Sequence, residues 1–88
     1  MMIDIESLKF DEAGLIPAIV QDADTRAVLM MGYMSRESIA ETERTGRACF
    51  FSRSRRRLWT KGETSGHFLA VSGMSADCDR DCLLVKAR

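Results

Sequence analysis

The apolar residues of this chain arrive in short, strand-length runs broken by turn-forming residues, and that spacing restricts the fold more than any other feature. Ala18-Ile19-Val20 follows Pro17 and is separated by Asp22-Ala23-Asp24-Thr25 from a second run, Ala27 to Tyr33. Residues 17–33 therefore predict a β-hairpin with a longer loop. Cys49-Phe50-Phe51 and Leu58-Trp59-Thr60 predict two more strands, His67 to Met74 another, and Leu83-Leu84-Val85 a short last one. A single helix is expected at about 35–45. Ser35 serves as its N-cap, Glu37 suits the positive end of the dipole, Met34 and Ile39 stand at staple positions, and Gly46 follows the last turn. Its apolar face is thin, so it is expected to cover a sheet edge. The expected class is α+β, mainly antiparallel β strands with one short helix.

A chain of 88 residues has room for one domain. At that size folding buries only about two-thirds of the unfolded surface, so a homodimer or a bound metal adds useful stability. With 45% apolar and 30% charged residues, the chain is neither disordered nor collagen-like nor a coiled coil. No apolar run approaches the roughly 20 residues of a membrane helix, and the start, Met1-Met2-Ile3-Asp4-Ile5-Glu6, is acidic, unlike a secretory signal. The expectation is a cytoplasmic protein with no membrane partner. Cys49, Cys78 and Cys82 are an odd number, which points to a reducing compartment and to thiols used as thiols or as metal ligands.

Charge is segregated along the chain although the net charge is zero. Residues 1–43 hold nine acids and only Lys9, Arg26 and Arg36 as bases. Residues 44–61 hold seven bases (Arg44, Arg47, Arg53, Arg55, Arg56, Arg57, Lys61) and no acid, and Asp77, Asp79 and Asp81 then crowd together. A basic stretch followed by an acidic knot suits a protein that holds an anion beside a cation; a solvated face is the alternative.

Two segments carry the chemistry. In Asp77-Cys78-Asp79-Arg80-Asp81-Cys82 a calcium loop is excluded, because its sixth position is Cys82 instead of Gly and its twelfth is Arg88 instead of Glu. In extended chain, the spacing would put the three carboxylates on one side and Cys78 on the other. Carboxylates suit Mg²⁺ or Ca²⁺ and thiolate suits Zn²⁺, so one segment offers ligands for two unlike metals; a solvated acidic turn is the alternative. The second segment, Phe51-Ser52-Arg53-Ser54-Arg55-Arg56-Arg57-Leu58-Trp59-Thr60-Lys61-Gly62-Glu63-Thr64-Ser65-Gly66, combines arginine forks, hydroxyls and a glycine-bounded turn. These are components of a phosphate site, although no P-loop or Rossmann spacing is present. Arg53 and Arg55 are expected on one face of a strand, and Ser52 and Ser54 on the other. Arg56 and Arg57 read as solvated turn residues. Phe50, Phe51 and Trp59 read as core, or as stacking platforms in a small nucleic-acid-binding β module. His67, the one histidine, is a weak general acid–base candidate, and Cys49 reads as a core residue.

Taken together, these pieces resemble the phosphoribosyl-AMP cyclohydrolase family of histidine biosynthesis. The resemblance runs through Gly14-Leu15-Ile16-Pro17-Ala18-Ile19-Val20-Gln21-Asp22 and Val28-Leu29-Met30-Met31-Gly32-Tyr33-Met34-Ser35. It continues through Phe51-Ser52-Arg53-Ser54-Arg55, Leu58 to Gly66 and Asp77-Cys78-Asp79-Arg80-Asp81, in order and over nearly the whole chain. It implies an enzyme that adds water at C6 of an adenine carrying phosphoribosyl on N1 and breaks the N1–C6 bond. It also implies a homodimer that needs Zn²⁺ and Mg²⁺, with Cys78 a zinc ligand and Asp77, Asp79 and Asp81 holding magnesium. The substrate carries two phosphates, so Arg53, Arg55, Lys61 and the Gly62–Gly66 turn, with Thr64 and Ser65, are the residues expected to bind it. The small phosphorylated nucleotide, and not a nucleic acid, is then the partner. The family pattern continues past Arg88 with a Cys-His-Thr-Gly segment and a later Ser-Cys. These bring two further zinc thiolates and a histidine thought to be catalytic, and Cys49 and Cys82 do not stand at their positions. A non-catalytic, tail-less metal-binding remnant is therefore the competing expectation.

Overall fold

The computed structural model describes residues 3–88; Met1 and Met2 of the acidic start lie outside the described residues. After a 3₁₀ turn at Ile5–Ser7 come β1 (Ile16–Asp22), β2 (Val28–Met34), α1 (Arg36–Thr45), β3 (Cys49–Ser52), β4 (Arg57–Thr60), β5 (Val71–Ala76) and β6 (Leu83–Ala87). Four strands form one sheet in the order β2-β1-β6-β5, and β3 and β4 form a second, two-stranded sheet. The class is α+β and the pairing mainly antiparallel, with one exception. β1 and β6 run parallel, with Ala18 beside Leu83 and Val20 beside Val85. Two hairpins, β1–β2 and β5–β6, thus join through their inner strands, which alternate buried and less buried residues.

Alternation along β1 points Ile16, Ala18 and Val20 inward, all fully buried. Leu83, Val85 and Ala87 of β6 do the same, and Met34, Ile39 and Phe50 close the core. The β1–β2 hairpin and the helix lie where the sequence places them. Ser35 caps α1 by accepting from the Ser38 amide, Ser38 reaches back to the Ser35 amide, and Gly46 ends the helix at φ +75°. Both staple residues, Met34 and Ile39, are buried. As the thin apolar stripe implies, the buried helical face is Ser38, Ile39 and Thr42, and it packs on β3 and β2.

Thr42 ties that face to the second sheet. Its hydroxyl donates to the Ser38 carbonyl (2.8 Å) and accepts from the Cys49 amide (3.0 Å), both without solvent contact. Thr42→Val keeps the volume and strands the Cys49 N–H, so it is expected to lower stability by about 1–3 kcal/mol in urea unfolding.

The structure corrects three expectations from sequence. The strand expected from His67 to Met74 starts only at Val71. Ala70 still exchanges hydrogen bonds with Arg88, next to the Val71–Ala87 pair, but before it the chain turns to the segment ahead of β3: the Leu69 carbonyl accepts from the Ala48 amide and Ala70 bridges Arg47. Arg53 and Arg55 do not alternate along a strand, because residues 53–56 are the turn between β3 and β4. Asp77–Cys82 is not extended but forms the closed loop of the β5–β6 hairpin, so its side chains do not divide between two faces.

Candidate functional site

The basic segment folds as a hairpin whose tip is set by Ser52. Its carbonyl accepts from the Arg56 amide (2.7 Å) and its hydroxyl from the Arg55 amide (3.2 Å), while Arg56 adopts φ +55°. This tight turn sends neighbouring side chains in different directions. Arg53 lies over the ring of Tyr33 on β2, 4.0 Å from its centroid, beside a groove of about 520 Å³ formed with Phe51, Ser54 and Trp59. Arg55 lies on a second groove of about 240 Å³, with Lys61, Thr64, Ser65 and again Trp59. One tryptophan is therefore a wall of both grooves. It is held there by Phe50, whose ring centroid is 5.2 Å away.

The five expected anion-binding residues, Arg53, Arg55, Lys61, Thr64 and Ser65, thus fall on two neighbouring grooves. Glu63 also lines the second groove; its carboxylate lies 3.5 Å from Arg57 Nη1, which offsets its charge, and accepts from the Thr60 amide. The turn between the glycines is tight. Gly62 sits at φ +94° with the His67 and Phe68 backbone so close that a Cβ there would lie 2.4 Å from the His67 carbonyl carbon. His67 is exposed, gives its amide to Ser65 Oγ, and lines neither groove. Sequence reasoning did not single out Tyr33; its role depends on a strand far away in the chain, and no local pattern marks it.

The acidic loop hangs from β5–β6, whereas the basic hairpin packs against β2 at the other edge of the main sheet. Asp77 organises the loop, with Oδ1 accepting from the Asp81 and Cys82 amides at 3.0 and 3.2 Å. Arg80, at φ +61°, turns its guanidinium away to Ser7. Asp77, Asp79 and Asp81 consequently have no arginine or lysine partner among the described residues. Cys78 is exposed, Cys82 half-buried and Cys49 buried. Burial pushes both the Cys49 and Cys82 thiols up, and Asp77 and Asp81 add to the effect at Cys82. Among the described residues, no three His, Cys, Asp or Glu side chains stand together so as to hold a metal ion.

These features define a small α+β domain with a cationic, two-grooved face and a separate carboxylate- and thiol-bearing loop. Comparison with known proteins makes the assignment specific. The phosphoribosyl-AMP cyclohydrolase family model matches residues 30–88. A phosphoribosyl-AMP cyclohydrolase of Roseobacter denitrificans is 59% identical over 85 residues, covering 97% of this chain and 66% of the relative. One from Pelotomaculum thermopropionicum is 59% identical over 86 residues, covering 98% and 67%. A histidine biosynthesis bifunctional protein HisIE of Bacteroides thetaiotaomicron is 56% identical over 81 residues, covering 91% and 40%. The chain belongs to the phosphoribosyl-AMP cyclohydrolase family. It spans about two-thirds of the length of the first two relatives.

Proposed function

We propose that the protein hydrolyses phosphoribosyl-AMP in histidine biosynthesis. Water adds at C6 of the adenine and the N1–C6 bond breaks; the water oxygen becomes the carboxamide oxygen, and N1 leaves carrying a proton. The observation that supports this most directly is the pair of cationic grooves sharing Trp59. A ligand with an aromatic ring between two phosphorylated riboses has the matching sequence of charge and ring. Arg53 serves one groove, and Arg55, Lys61, Thr64 and Ser65 the other, through charge-assisted hydrogen bonds to phosphate oxygens.

Within the same proposal, Cys78 is a zinc ligand and Asp77, Asp79 and Asp81 bind magnesium. Their support is donor type alone: an exposed thiol and three carboxylates with no cationic partner among the described residues, although these side chains do not converge on one point here. Cys78 fits only part of a zinc site, which takes three protein ligands and an open position. Zinc, when bound, lowers the pKa of a coordinated water towards neutrality. We take the working form to be a cytoplasmic homodimer. The small size of the chain and the exposed Val28 and Met31 on edge strand β2 support self-association.

The groove assignment is tested by Lys61→Ala. It is expected to raise KM for phosphoribosyl-AMP by about tenfold or more, the value of a hydrogen bond to a charged group. An unchanged KM would remove the second groove from the substrate site.

A further inference from the structure

The arginines of the basic hairpin are not held alike. Arg57 is committed to Glu63, whereas Arg53 has no ion pair among the described residues. Its guanidinium is instead laid on the Tyr33 ring, 4.0 Å from the centroid, and both residues line the first groove. Arg53 sits in a four-residue turn, so its backbone alone does not determine where a long, flexible side chain points. Tyr33 is the last residue but one of β2, paired in register with Pro17, and so is fixed by the main sheet. A ring anchored in the sheet orients a guanidinium carried by a turn. A guanidinium held over a ring face keeps the N–H groups at its own edge available to an anion.

We propose that Tyr33 is a positioning residue: its ring pre-orients Arg53 to receive a phosphate in the first groove. This rests on the reading of that groove as part of the nucleotide site. The ring, not the phenol hydroxyl, is the working part.

The test is a double-mutant cycle on the full chain, with adenosine 5′-monophosphate as probe and fluorescence of Trp59, the chain's single tryptophan, as readout. Arg53→Ala is expected to weaken binding by about tenfold or more. Tyr33→Phe should leave binding within about twofold of wild type, and Tyr33→Leu should weaken it by about threefold, the value of an exposed cation–π contact. In the Arg53→Ala background Tyr33→Leu should have no further effect. A loss from Tyr33→Leu of equal size in both backgrounds would mean a role in folding or direct contact and would overturn the proposal. So would a Tyr33→Phe protein as weak as Tyr33→Leu, which would make the hydroxyl the ligand, or a Tyr33→Leu protein as tight as wild type. In each of these cases, weakened binding by Arg53→Ala leaves the groove reading intact. If Arg53→Ala binds as wild type, or wild type does not bind the probe, the groove reading fails and the positioning role falls with it.

Discussion

Replacing Gly62 with alanine is expected to cost about 3 kcal/mol and to disorder the second groove. The residue sits at φ +94°, where an L side chain is strained by about 1–2 kcal/mol. A Cβ would also lie 2.4 Å from the His67 carbonyl carbon and 2.5 Å from the Phe68 nitrogen. Those atoms are backbone and cannot swing aside, and displacing them adds about 1–3 kcal/mol. Gly66 is the internal control. It sits at φ +82°, and a Cβ added there would meet nothing within 4 Å, so Gly66→Ala carries the conformational cost alone. Urea unfolding should place Gly62→Ala well below Gly66→Ala, and equal losses would mean that the turn does not close on His67 as described.

Phe50→Ala is expected to cost about 3–5 kcal/mol, a large share of the roughly 5–15 kcal/mol that holds a domain together. Phe50 is fully buried where β3 meets β2, and its partner Trp59 is the shared wall of the grooves. The residue beneath it is Gly32, where an added Cβ would lie 2.8 Å from the Phe50 ring. Gly32→Ala alone should therefore cost about 1–3 kcal/mol. In the Phe50→Ala background, with the ring gone, it should cost clearly less. Thermal unfolding of the four proteins measures this coupling, and additive losses would contradict the contact.

Much of the fold was legible because its signals are local. The cap at Ser35, the staple of Met34 and Ile39, Gly46 and the loop between β1 and β2 all follow from residues within a turn of one another. The start of β5 was misplaced because Leu69 and Ala70 are engaged by Ala48 and Arg47, distant in the chain. The parallel pairing of β1 with β6 is likewise a choice between strands far apart in sequence. At the site, residue types marked a basic and an acidic segment, whereas their geometry depended on turns. Ser52 folds the arginines into a loop, and Asp77 uses its carboxylate to close the acidic one. Alternation fails in both places for the same reason: a short polar side chain binding nearby amides competes with extended structure. Trp59, read from sequence as core or stacking platform, is half-buried against Phe50 and also faces both grooves.

The central claim, that this chain belongs to an enzyme opening the adenine ring of phosphoribosyl-AMP, is tested most directly by turnover. Protein expressed from its natural gene and supplied with zinc and magnesium is mixed with phosphoribosyl-AMP, and the ultraviolet absorbance is followed as the purine opens. The account predicts steady conversion to the ring-opened ribonucleotide, loss of activity on chelation and in Cys78→Ser, and recovery when zinc is returned to the wild-type protein. A metal-loaded protein that binds the nucleotide and leaves its ring intact would contradict it.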